Sequence, residues 1–229
     1  QKSISRQCSY LNALIQTGKK KEAFEQAEAI WLSQKSQPKS CDPVFKAWEK
    51  AAYISTDLRW QRIALVMQKS RISLAKYIAK PMPENDQKIL QQWITLYHKP
   101  EKLLNSSILH SNHKMQQTII LHSIERMSRK KPQQAATLVE AIKTKNLLDS
   151  DKLNLAYRAI GLSFARKHHA GGWYWLDKIN DDYKDEYTLE WRARAAVREE
   201  NSQAILSAIK RLPEKKQQSQ RWQFWLAQA

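Results

Sequence analysis

The chain has 229 residues, with 39 Lys and Arg against 22 Asp and Glu for a formal net charge of +17, and it contains only four glycines. Glycine-rich phosphate loops, dinucleotide fingerprints and turn-dense β-sandwiches need many backbone positions that tolerate positive φ, and Gly18, Gly161, Gly171 and Gly172 cannot supply them. The 42% apolar content is enough to line one or two cores, and no run approaches the 18 apolar residues of a membrane span.

Taken in order, the apolar residues recur at helical spacing and the breaks fall at Gly, Pro or capping residues, which predicts an all-α fold. Ile4, Cys8, Leu11 and Ile15 form a first stripe that ends at Gly18. A second helix runs from about Lys19 to Ser33, with Ala23, Phe24, Ala27, Ile30 and Trp31 on one side. Residues 34 to 42 read as a loop, and Pro43 suits the first position of a helix through Trp48 and Tyr53. Further helices are expected from about Asp57, Ile72, Glu84, Glu101, His113, Gln133, Asp151, Tyr187, Ser202 and Glu214. The joins are short, so consecutive helices should lie antiparallel as hairpins.

Three second helices share a pattern: Lys21-Glu22-Ala23 with Ala27, Gln133-Gln134-Ala135 with Val139, and Ser202-Gln203-Ala204 with Ala208. A small residue at the crossing lets two helix axes approach, as in tetratricopeptide-like arrays. No fixed 34-residue period runs through the chain, so the expected architecture is an irregular superhelical array of hairpins over residues 1–229, with a compact bundle as the alternative.

Residues 1–150 carry 25 basic and 12 acidic side chains, and 151–229 carry 14 and 10. Such a surplus points to an anionic partner. Nucleic acid is the default for this composition, but no RNA-binding signature, zinc-finger spacing or basic recognition helix is visible, so a nucleic-acid-binding module ranks below other readings. Trp222 and Trp225 lie three residues apart on one helix and should pack into a hairpin, whereas Trp173 and Trp175 fit either a core or a sugar-stacking platform. His110, His113 and His122 lack the carboxylates or thiolates of a metal set and read as surface histidines; His168-His169 read as a helix end. No G-x-S-x-G elbow and no Glu-Ser pair before a glycine-rich cap occurs, so no catalytic, metal or cofactor site is expected in this chain.

Cys8 sits mid-stripe on the first helix and Cys41 in the loop after the second, where a hairpin returns the chain. A disulfide between them fits this geometry and implies an oxidising compartment; two separate thiols in a cytosolic protein are the other possibility.

Residues 29 to 48, AIWLSQKSQPKSCDPVFKAW, resemble the soluble lytic murein transglycosylases of Gram-negative bacteria, in the helical region preceding their catalytic domain. The matching elements are Trp31-Leu32, Ser36-Gln37-Pro38, Cys41-Asp42, Phe45 and Trp48, with Cys8 upstream in the run Arg6 to Tyr10. Met82-Pro83 leading to Lys99-Pro100, and Leu212-Pro213 before Arg221-Trp222-x-x-Trp225, agree more loosely; Phe224 departs from the tyrosine more usual there.

The resemblance implies a periplasmic superhelical domain, a piece of a longer enzyme. In that family a single glutamic acid of a separate lysozyme-like domain cleaves the bond between N-acetylmuramic acid and N-acetylglucosamine, and the muramic 6-hydroxyl closes to a 1,6-anhydro product. The implied partners are peptidoglycan glycan strands and the catalytic domain of the same polypeptide. A helical-repeat protein-interaction scaffold is the alternative reading.

Overall fold

In the computed structural model, residues 2–229 are described and no strand occurs among them. They divide into two compact units, Gln1–Ile94 and Thr95–Ala229.

In the first unit α1 (Lys2–Gln16) and α2 (Lys20–Trp31) form a hairpin, with Gly18 at a φ of 86° in the turn. Cys8, Leu11 and Leu14 of α1 meet Ala23, Phe24, Ala27 and Trp31 of α2 in the core. The loop after α2 ends in a 3-10 turn, Lys39–Cys41, and leads into α3 (Asp42–Lys50). Pro43 stands in the first turn of α3, one residue inside the start, where its missing N–H costs nothing. Helices α4 (Thr56–Gln68) and α5 (Ile72–Ala79) pair next, and α6 (Glu84–His98) runs across the division between the units. Ser55 caps α4 by accepting from the Leu58 N–H at 3.1 Å.

The second unit repeats the hairpin theme with α7 (Gln116–Lys130), α8 (Pro132–Thr144) and α9 (Ser150–Arg166), then α10 (Gly172–Asp177), α11 (Glu186–Arg198), α12 (Ser202–Lys210), α13 (Glu214–Gln217) and α14 (Gln220–Gln228). The three sequence-similar segments are indeed the second helices of hairpins: α2 on α1, α8 on α7 and α12 on α11. Ala23 and Ala135 are wholly buried and Ala204 nearly so, as the small-residue crossing requires. Helix α10 lies close on α9. A Cβ at Gly161 would sit 2.7 Å from the Leu176 side chain, and one at Gly172 would sit 3.0 Å from the Ala165 backbone.

Several details differ from the sequence expectation. The helix expected from Glu101 is two 3-10 turns, Pro100–Asn105 and Ser107–His110, and α7 begins at Gln116, not His113. The stretch from Glu214 is broken at Ser219, whose hydroxyl donates to the Lys216 carbonyl at 2.7 Å, so α13 and α14 are separate. The short α10 was not foreseen; Glu199 accepts from the Gly171 and Gly172 N–H groups at 3.0 and 3.1 Å and fastens its start.

Candidate functional site

Sequence reasoning placed no ligand-contacting residue, and the feature that stands out lies in the first unit. A cleft of about 1270 Å³ opens between the loop after α2, α3, α4 and α5. The loop that forms one wall is held at several points. Ser33 accepts from the Lys35 N–H at 3.1 Å, and Gln37 donates to the Ile30 carbonyl at 3.0 Å. At its end Cys41 is disulfide-bonded to Cys8 of α1, with Cα atoms 4.8 Å apart and both residues fully buried. Ser40 and Ser5 share a hydroxyl hydrogen bond of 2.9 Å beside the bridge.

Two arginines, Arg59 and Arg62, come from one face of α4 and are buried. Arg59 donates to Glu49 of α3 and, at 3.2 Å, to the Ile78 carbonyl of α5, so it ties three helices together. Arg62 lies over the Trp31 ring at 4.1 Å and donates its Nη2 to the Lys35 carbonyl at 3.2 Å. Trp31 is itself wedged edge-on against Phe45 and Trp48, with ring centroids 5.2 and 6.0 Å away. Burial pushes Arg62 down to about 10, which leaves it protonated at neutral pH.

Arg62 has no carboxylate partner among the described residues, and its Nε and the Trp31 Nε1 are both buried without an acceptor. A buried donor left unmatched costs about 1 to 3 kcal/mol. Lys39, Lys46, Arg71 and Lys80 also line the cleft, against the carboxylates of Asp42 and Glu49. The space is therefore cationic at its rim and aromatic at its base.

The residues singled out from sequence fall elsewhere. Trp222 is buried among α11, α12 and α14, with Trp225 and Trp173 packed against the same cluster; Trp175 is buried beside Tyr157 and Phe164, so these rings form core and not a platform. His110 is exposed and His113 half-buried, its Nδ1 accepting from the Met115 N–H at 3.2 Å. His122 corrects the surface reading: it is 6% exposed on the inner face of α7, against Tyr97, and burial together with Arg126 and Arg129 lowers it to about 4. His168 and His169 follow the end of α9 as expected, their N–H groups donating to the Ala165 and Phe164 carbonyls. Among the described residues no group of three His, Cys, Asp or Glu is placed to hold a metal ion.

Arg59 and Arg62 were missed because their partners come from α2, the loop after it, α3 and α5. The visible signal was two arginines, three residues apart, in line with Ile63 and Val66 on an otherwise apolar helix face.

A cationic cleft in an all-α array of helix hairpins defines a class of protein, and comparison with known proteins narrows it. The chain is similar to the soluble lytic murein transglycosylases of Escherichia coli K12, at 23% identity over 226 residues, and of Salmonella typhimurium, also at 23%; each match covers 96% of this chain. The chain spans 34% of the length of these curated relatives. The Pseudomonas aeruginosa lytic transglycosylase Slt, solved as an inactive mutant, matches 98% of this chain with a TM-score of 0.81 at 23% identity, over 36% of its own length. The 70-kDa soluble lytic transglycosylase in complex with bulgecin A matches with a TM-score of 0.77 at 21% identity, covering 98% of this chain and 37% of its own. The resemblance read at residues 29 to 48 thus extends over nearly the whole chain, in sequence and in fold. A family model described as Cucumovirus coat protein matches residues 11–98, well under half of the chain; that stretch is helical here and contains no strand.

Proposed function

We propose that this chain is the non-catalytic helical domain of a periplasmic peptidoglycan lytic transglycosylase and that it positions the glycan strand for a catalytic domain of the same polypeptide. The observation that carries the reading is the match over nearly the whole chain to about a third of each relative, in sequence and in fold together. On this reading the full-length enzyme cleaves the bond between N-acetylmuramic acid and N-acetylglucosamine and releases 1,6-anhydromuropeptides. The charge of +17 suits a partner whose peptide stems bear carboxylates, and the Cys8–Cys41 bridge suits an oxidising compartment.

The test is a titration of the 229-residue chain with solubilised peptidoglycan at low and at high salt. Binding that weakens as salt rises, with no anhydro product formed by the chain alone, is the expected outcome. Absent or salt-independent binding would overturn the reading, and so would release of anhydromuropeptides by the isolated chain.

A further inference from the structure

The cleft of the first unit has an electrostatic character that the proposed function does not by itself require. Its base holds two stacked flat groups, the Arg62 guanidinium and the Trp31 indole, each with a buried N–H that meets no acceptor. Its rim holds Lys39, Lys46, Arg71 and Lys80, all exposed, while one of its two carboxylates, Glu49, is engaged by Arg59. A cation deprived of water and lacking a counter-charge is unfavourable unless something anionic completes it. The charge of a guanidinium attracts a carboxylate, and aromatic lining favours a ligand that carries some apolar surface beside its charge.

We propose that this cleft is a binding site for a short carboxylate-bearing peptide, which, on the reading above, is the stem peptide of peptidoglycan and not its sugar backbone. Arg62, stacked on Trp31, supplies the charge at the base, Phe45 and Tyr77 of the lining the apolar contact, and Lys46 and Arg71 the attraction at the rim. Neutral sugars gain nothing from the rim cations, so the site discriminates between a peptide-bearing strand and an uncharged sugar oligomer. The glycan is then held through its appendages.

The experiment is calorimetric titration of the 229-residue chain with a disaccharide-tetrapeptide, with the tetrapeptide alone, and with an uncharged N-acetylglucosamine oligomer. The peptide-bearing probes should bind and the uncharged oligomer should bind at least tenfold more weakly. The exposed double variant Lys46→Glu/Arg71→Glu, checked for an unchanged melting curve, should weaken the peptide-bearing probes at least tenfold. A matched double reversal in the second unit, Lys143→Glu/Lys145→Glu, should leave them unchanged. Arg62→Lys, which keeps the charge but not the planar stack on Trp31, should lie between the parent and the double variant. Equal affinity of the rim variant and the parent overturns the site. If polymeric peptidoglycan is bound while both peptide probes are ignored, the site falls and the proposed function stands; if the polymer is not bound either, both fall.

Discussion

The two units carry nearly the same charge surplus but neutralise it differently. In the second unit the buried Arg192 of α11 meets Asp177 at 2.6 Å, and Arg211 lies within 3.7 Å of the same carboxylate and 3.5 Å of Asp181. Arg158 reaches Asp185 at 2.8 Å, and Lys216 lies between Glu186 and Glu190 at 3.2 and 3.5 Å. The acidic stretch from Asp177 to Glu200 thus acts as an internal counterweight, and its cations are taken up in holding helices together. In the first unit Arg62 is equally buried and lines an open cleft, and no carboxylate pairs with it among the described residues. Net charge says little about where a protein binds; the cation left without a partner says more.

Cross-linking is the second contrast, and it gives the largest expected effect. The bridge closes a span of 33 residues within the first unit, which the chain-entropy description values at roughly 3 to 4 kcal/mol. Replacing Cys8 and Cys41 together by Ala should lower the stability of residues 1–94 by about that amount while leaving amide-exchange protection in α9 and α11 unaltered. Equal losses of protection in both units would break the comparison.

All six histidines lie beyond residue 94, so the sharpest pH response should belong to the second unit. His122 is held at about 4 in the fold against its ordinary 6.5, so the unfolded chain takes up a proton that the native one refuses. Its contribution is full above about pH 6.5, erodes as the pH falls, and stops eroding below about pH 4, for a total of about 3 kcal/mol. His122→Gln should flatten that part of a urea-denaturation series taken from pH 7 to pH 4.

Smaller effects sharpen the difference between the two buried arginines. Asp177→Asn should destabilise the second unit by about 1 to 2 kcal/mol, because it leaves Arg192 buried beside a neutral group. Arg62→Met removes a buried cation that has no carboxylate to strand, so its cost in melting temperature should be the lesser of the two. The smallest change is at the caps. Ser55→Ala, which frees the Leu58 N–H at the start of α4, should cost about 1 kcal/mol. Asp185→Ala should cost more than Ser55→Ala, since Asp185 both caps α11 through the Thr188 N–H at 2.8 Å and pairs with Arg158. A reversed order in thermal melts would show that capping dominates pairing here.

Helices and their pairing were legible because they depend on spacing within a segment, and the alanines of α2, α8 and α12 announced the crossings. What escaped depends on groups remote in sequence. Helix α10 is six residues long and its start is fastened by Glu199, 27 residues downstream of Gly172. His122 shares the buried face of α7 with Ile119 and Met127 and also with Ser123 and Ser128, and a face that admits polar residues gives no sign of how deeply any one of them lies. The cleft was invisible for the same reason. Arg62 is seated by the ring of Trp31 and the carbonyl of Lys35, and neither is recognisable as a partner until the loop between α2 and α3 has been folded.

That loop is fastened at Cys41 and carries the Lys35 carbonyl on which Arg62 rests. Oxidation of two thiols and completion of the receptacle are therefore coupled events. Material matured without a thiol oxidant would keep its helices yet present a slack wall to any ligand.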